Sequence, residues 1–320
     1  HRARGDALAT VKLFELLLEK DSSKEILKSQ IKAFHRERVP SKYLNIIEEL
    51  PCSSGVYYFH NAIGEILYIG KSNNIQKRVR NHLTGRTRKA LKIQKNIYKV
   101  NFETTGSELI ALLKEQHEIK KNQPRINKDG RYRLYPIGIR LDKETIYHQL
   151  ILEQVRNRRK YIVVFKNSKV AKHILHQWIK NNNLCYNHSS FKETAGPCFA
   201  YKNNQCNGAC VEKENSQDYN QRVDNLAHKS DYPYNHFLLI GKGRKNGESS
   251  FVYIQNNVYK GYGFFELNYQ IKNPEKILSR ITPMEENSDC RALILSFIKR
   301  EKYLKLIPLV NTSVSSPQIK

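Results

Sequence analysis

Five residues have the types needed to cut a phosphodiester. Tyr57 and Tyr68 sit in two β-rich runs, Lys71 follows Gly70, and Arg78 and Glu115 fall in two later helical stretches. A free tyrosine has a pKa of about 10, so roughly one in a thousand is phenolate at neutral pH. It can act as a base only where cations stabilise its anion, and Lys71 and Arg78 are spaced to do so. Glu115 can be the single carboxylate ligand of Mg²⁺, which keeps waters and phosphate oxygens for its other positions. Such an ion polarises the phosphoryl oxygen and stabilises the leaving oxygen, and an arginine neutralises the charge that develops. Taken singly, strand tyrosines usually pack and helix glutamates usually face water. Their combination in order and spacing is what points to chemistry.

The charge agrees with a polyanionic partner. The 320 residues carry 55 Lys+Arg and 30 Asp+Glu, a net +25. Residues 66–102 hold ten of the cations and no acid, among them Lys77, Arg80, Arg86, Arg88, Lys89 and Lys92. Phosphate neutralisation with counterion release asks for such clustering. Apolar residues make up 39%, enough for cores and against global disorder. No apolar run reaches the ~18 residues of a membrane span, and no signal peptide is visible, so a cytoplasmic protein is expected. The chain starts at His1 and contains one methionine, Met284, which reads as a fragment or a processed piece.

The positioning elements follow from periodicity. Residues 7–20 read as an amphipathic helix and 23–50 as a polar linker ending in a short helix before Pro51. Gly55–Phe59 and Ile66–Ile69 flank the turn Asn61–Gly64 as a β-hairpin. Helices are expected over 73–83 and 88–95, a third strand over 97–102, and a long helix over 108–121 that Pro124 stops. This is a small α+β domain over 51–130, with a three-stranded antiparallel sheet flanked by helices. Residues 131–320 read as a second α+β region. Trp178 reads as core, His82 as a surface histidine beside the basic helix, and the glycine-rich run 241–247 as a β-turn.

The landmarks Gly55-Val56-Tyr57, Tyr68-Ile69-Gly70-Lys71, Arg78, Glu115 and Asn127 together resemble the GIY-YIG nuclease domain, most closely that of the excinuclease UvrC and its single-incision homologue Cho. The likeness covers residues 51–128. It implies Mg²⁺- or Mn²⁺-dependent cleavage leaving 3′-hydroxyl and 5′-phosphate ends. It also implies Glu115 as metal ligand, Arg78 at the scissile phosphate, and Tyr57 or Tyr68 as base. Lys71 would tune that tyrosine and Asn127 would order the site. The expected function is a DNA endonuclease that cuts 3′ to a lesion in nucleotide excision repair, with the damage-loading helicase UvrB as a partner. No second nuclease domain or helix-hairpin-helix tail is visible, which favours single incision.

Cys185, Cys198, Cys206 and Cys210 cluster in a chain with six cysteines. Clustered cysteines in an intracellular chain more often hold a metal than a disulfide framework. Their spacing resembles the cysteine region after the nuclease domain in the excinuclease family, which implies a [4Fe–4S] cluster. Four thiolates suit tetrahedral zinc equally, and spacing alone leaves both open. The nearby Arg156, Arg158, Arg159, Lys160 and Lys202 would suit DNA.

His1–Thr10 resembles the last active-site motif of DEDDh exonucleases such as the epsilon chain of DNA polymerase III, with His1 as base and Asp6 as metal ligand. The upstream carboxylates that a two-metal site needs are absent. Residues 1–22 are therefore expected to be an inactive exonuclease remnant. Two other readings stand beside the endonuclease: a non-catalytic DNA-binding module with a structural metal, and a fragment of an epsilon-like 3′–5′ exonuclease.

Overall fold

The computed structural model describes residues 9–13, 15–17, 20, 39–127, 134–156, 159–192, 196–228, 231–266 and 274–309. The fold is α+β and is built around three antiparallel sheets.

The first sheet has the order β2-β1-β3, from β1 (Gly55–His60), β2 (Ile66–Ser72) and β3 (Lys99–Thr104). Strand alternation sends its residues to two cores. Tyr57, Phe59 and Tyr68 face one side, with Ile75, Val79, Leu83 and Ile93 of helices α2 (Ile75–Thr84) and α3 (Arg88–Asn96). Val56 and Ile69 face the other, against Ala111 and Ile119 of helix α4 (Glu108–Asn122). Asn74 and Thr87 cap α2 and α3 by accepting from Lys77 N and Ala90 N.

Part of the expected linker belongs to this core. Val39, Tyr43, Ile47 and Leu50 are buried in it, the middle two around helix α1 (Leu44–Glu48). Burying each such side chain contributes roughly 1.5–3 kcal/mol, so residues 39–50 hold the first domain together.

The second sheet, β5-β4-β6, comprises β4 (Ile137–Asp142), β5 (Gln149–Gln154) and β6 (Val163–Phe165). Helix α5 (Ser168–Asn181), a short helix α6 (Phe199–Lys202) and helix α7 (Ser216–His228) pack with it around the cysteine cluster.

The third sheet runs β10-β9-β8-β7-β11. Its members are β7 (Phe237–Lys242), β8 (Glu248–Gln255), β9 (Val258–Glu266), β10 (Ile281–Pro283) and β11 (Lys305–Pro308), with helices α8 (Pro274–Leu278) and α9 (Ser288–Lys299). The edge strands β10 and β11 are not expected from the sequence. Both are short and end in proline, which breaks the strand signal.

Helix α4 is covered from two sides. Leu109, Ile110 and Leu113 enter the core of the third sheet with Phe237, Val252, Ile254, Ile294 and Phe297. The fully buried Asp289 at the start of α9 accepts from Lys120 Nζ at 3.0 Å, Leu134 N at 3.3 Å and Tyr135 N at 3.1 Å. The Cys290 thiol donates to Gln116 Oε1 at 3.0 Å. The helix that carries Glu115 is thus held by both the first and the third sheet.

Candidate active site

Tyr57 and Gly70 are register partners across β1 and β2, and so are Phe59 and Tyr68. A Cβ at Gly70 would strike the Tyr57 hydroxyl, so this position must be glycine for the Tyr57 ring to reach α2. There its hydroxyl hydrogen-bonds His82 Nε2 at 2.9 Å. Gly70→Ala is therefore expected to displace Tyr57 and cost about 1–3 kcal/mol by overpacking, measured as a lower denaturant midpoint.

Burial holds the Tyr57 phenol well above its ordinary pKa. The neighbouring Tyr68 and Glu115 add to the rise, and the Arg78 guanidinium opposes it through its charge and a hydrogen bond. Tyr57, Tyr68, Arg78 and Glu115 therefore share one electrostatic site. Tyr68 lies 6.1 Å from Tyr57 between ring centroids, and the Lys89 ammonium sits 4.1 Å above its ring. Tyr68 is 5% exposed against 0% for Tyr57.

His82 is buried, contrary to the surface position expected from sequence. Burial pushes its pKa down to about 4, helped by Arg78 and Lys89. In the unfolded chain the imidazole takes up its proton near pH 6.5. Folding therefore expels a proton between those values. The stability His82 contributes is fully present above about pH 6.5 and is lost as pH falls toward 4, by roughly 3 kcal/mol. Urea unfolding at pH 7 and 4.5 is expected to show this loss, and His82→Gln is expected to show less of it. Equal losses in the two proteins would contradict the assignment.

Glu115 is half-buried on α4, and its Oε1 accepts from Lys71 N at 2.9 Å. Burial pushes its carboxyl above the usual range, against the Lys71 amide and the charges of Lys71, Lys89 and Arg78. Its Oε2 has no hydrogen bond among the described residues. One pinned and one open carboxylate oxygen suit a hard divalent cation completed by water and phosphate oxygens.

Among the described residues the Lys71 side chain makes no hydrogen bond to a tyrosine. Its ammonium pairs with Glu108 Oε1 at 2.9 Å, and Lys302 approaches Glu108 Oε2 at 4.0 Å. Glu108 is a site residue that sequence reasoning missed. Its position on the same helical face, at i−7 from Glu115, is the only signal it gives. Asn127 is buried and clamps β2, accepting from Ile69 N at 2.8 Å and donating to Ile69 O at 2.7 Å.

Lys77, Arg86, Arg88, Lys89 and Lys92 are exposed on α2, α3 and the turn between them, with Arg80 half-exposed. None pairs with a carboxylate among the described residues. This face has the character of a phosphate-binding surface.

The four cysteine sulfurs form a second cluster. Cys185 and Cys198 are 3.9 Å apart, Cys198 and Cys206 are 4.0 Å apart, and Cys210 Sγ accepts from Cys198 N at 3.5 Å. Cys185, Cys198 and Cys210 lie within 4.8 Å of one another. Burial raises the Cys198 thiol, but the Tyr201 amide and hydrogen bonds with the other three cysteines bring it below its ordinary pKa. Burial pushes Cys206 up to about 11. Four clustered sulfurs, one of them in a cysteine inclined to the thiolate form, are a donor set that fits a thiophilic metal. His1, Asp6 and Arg158 lie outside the described residues. No helix among the described residues is long and apolar enough to cross a membrane.

Two segments of the chain match known families. Residues 53–128 match the UvrC-like GIY-YIG domain family, and residues 137–229 match the UvrC/Cho excinuclease middle domain family. The UvrABC system protein C of Syntrophus aciditrophicus is 31% identical over 183 residues, covering 55% of this chain and 29% of that protein. That of Rickettsia bellii is 32% identical over 196 residues, covering 58% and 29%. The chain thus spans less than a third of the length of these relatives. Among solved structures, the GIY-YIG N-terminal endonuclease domain of UvrC from Thermotoga maritima, bound to its catalytic divalent cation magnesium, is 30% identical. The match covers 28% of this chain and 99% of that one, with a TM-score of 0.26. Residues 53–128 are a UvrC-type GIY-YIG endonuclease domain, and the UvrC/Cho middle domain follows it at residues 137–229.

Proposed function

We propose that this chain is a divalent-metal-dependent DNA endonuclease that makes an incision on the 3′ side of a lesion in nucleotide excision repair. The observation that carries this reading is Glu115, pinned through one oxygen to the Lys71 amide and open at the other, beside Tyr57, Tyr68 and Arg78. Mg²⁺ or Mn²⁺ held at that oxygen would polarise the phosphoryl group and stabilise the leaving oxygen. Tyr68 is the base that takes a proton from water, because the hydroxyl of Tyr57 is hydrogen-bonded to His82 and burial makes the Tyr57 phenolate costly. Arg78 neutralises charge at the scissile phosphate. Asn127 fixes β2, while Lys71 serves through its amide and its pair with Glu108.

Lys77, Arg80, Arg86, Arg88, Lys89 and Lys92 form the DNA footprint. Arg88→Ala is expected to lower the slope of log affinity against log salt by about one unit, measured by anisotropy. An unchanged slope would remove Arg88 from the footprint.

Cys185, Cys198, Cys206 and Cys210 would hold a single zinc ion in preference to a [4Fe–4S] cluster. Zinc–sulfur bonds of about 2.3 Å at tetrahedral angles place sulfurs roughly 3.8 Å apart; Cys185, Cys198 and Cys210 lie within 4.8 Å of one another, and Cys206 stands 4.0 Å from Cys198. A four-iron cube binds each thiolate at a separate corner and spreads them further.

We divide the chain into a nuclease unit (39–127), a middle unit (134–228) and a C-terminal sheet (231–309). The exonuclease-like residues His1 and Asp6 are given no part in the reaction. A cytoplasmic setting and the UvrB helicase as partner follow from the UvrABC resemblance. The test is a 5′-labelled duplex with one defined lesion, incubated with Mg²⁺ with and without the helicase loaded. A discrete cut 3′ to the lesion supports the reading, and a cut 5′ to it or at random contradicts it.

A further inference from the structure

A cleft of about 2650 Å³ separates the middle unit from the C-terminal sheet. It is distinct from the basic face of α2 and α3, and its lining begins at Glu108 on α4, whose carboxylate holds Lys71. One wall carries Arg156, Lys160 and Lys166, and the other carries Lys299 and Arg300. All five are exposed, and none pairs with a carboxylate among the described residues. Several of the acids in the cleft are already neutralised. Arg140 takes Asp142, Lys143 takes Asp224, and Arg291 takes Asp231. Glu144 on the first wall and Glu285 on the second offset part of this charge, and the balance stays positive on both sides.

The lining is also aromatic. Tyr161, Phe165 and Trp178 contribute half-buried rings. A groove with cations on both walls and aromatic rings along one of them suits single-stranded nucleic acid, whose bases are free to stack while its phosphates meet the cations. A duplex hides its bases and would leave the rings unused.

We propose that this cleft binds a single strand of DNA and leads it to or from the nuclease site. The proposal rests on the reading of this chain as a DNA nuclease and assigns the cleft as a second contact on the same substrate.

Trp178 is the chain's one tryptophan, so its fluorescence reports on this wall. A short oligothymidylate is titrated into the full chain in EDTA, with Trp178 emission and the anisotropy of a labelled copy read together. Saturable, salt-sensitive quenching is expected. The double variant Lys160→Ala/Lys166→Ala is expected to weaken binding roughly tenfold and to lower the log–log salt slope by about 1.4 units. Arg300→Ala, from the opposite wall, is expected to weaken it in the same direction. Anisotropy that reports binding with silent Trp178 emission and unchanged variants would overturn the cleft. In that case incision of DNA by the native chain in Mg²⁺ would leave the nuclease reading standing. Quenching by a native chain that cuts no DNA in Mg²⁺ would do the reverse, supporting the cleft and sinking the nuclease reading.

Discussion

Glu115→Gln is expected to lower the incision rate by at least roughly 10³-fold, the scale of losing a principal electrostatic element of a transition state. DNA affinity is expected to stay within about twofold, because the cations of α2 and α3 that meet phosphate are untouched. The substitution is close to isosteric. A glutamine carbonyl still accepts from Lys71 N, so α4 stays against β2. What it removes is the charge that a hard cation needs. The split between rate and affinity is the informative readout. Rate and affinity lost together would mean that Glu115 holds the fold, and normal cutting would remove it from the metal site.

The second large effect concerns the cysteine cluster. Cys198 sits between Cys185 and Cys206 and donates its amide to Cys210. Cys198→Ser therefore takes the central ligand from a site around which the middle unit's core is built. Structural metal binding is folding free energy, so a loss of roughly 3 kcal/mol or more is expected, with bound metal falling well below stoichiometric. Elemental analysis and thermal unfolding read the two together. The native chain is expected to carry a single zinc ion and no visible chromophore. Several irons with broad visible absorbance would contradict the single-ion reading, and unchanged melting and metal content in the variant would contradict a structural role.

Much of the first domain was legible because β-rich runs, a turn and helix-end residues mark its elements. The β-rich runs Gly55–Phe59 and Ile66–Ile69 on either side of the turn Asn61–Gly64 defined the hairpin, and Asn74, Ser107 and Pro124 stood at helix ends. The positions of Tyr57, Tyr68 and Glu115 followed from those elements. The burial of His82 was legible too, yet missed. It shares the apolar face of α2 with Ile75, Val79 and Leu83 at helical spacing. Tyr43, Ile47 and Leu50 carry the same kind of signal inside a polar stretch.

Helix α4 hinted at a second cover, since Leu109, Ile110, Ala111, Leu113 and Ile119 surround most of its circumference. Nothing local could show that the cover is the third sheet. The Lys71–Glu108 pair and the anchoring of Lys120 by Asp289 join residues far apart in sequence. Such contacts are set by packing, and no short-range pattern encodes them.

The central claim is that Glu115 and its neighbours cut DNA internally with a divalent metal. The most direct measurement is incubation of the native chain with end-labelled branched or lesion-containing DNA in Mg²⁺ and in EDTA, followed by ligation of the products. Internal cuts that need the metal and leave ligatable 3′-hydroxyl and 5′-phosphate ends are the expected result. DNA bound but uncut in every divalent metal, or strands shortened stepwise from the 3′ end, would contradict it.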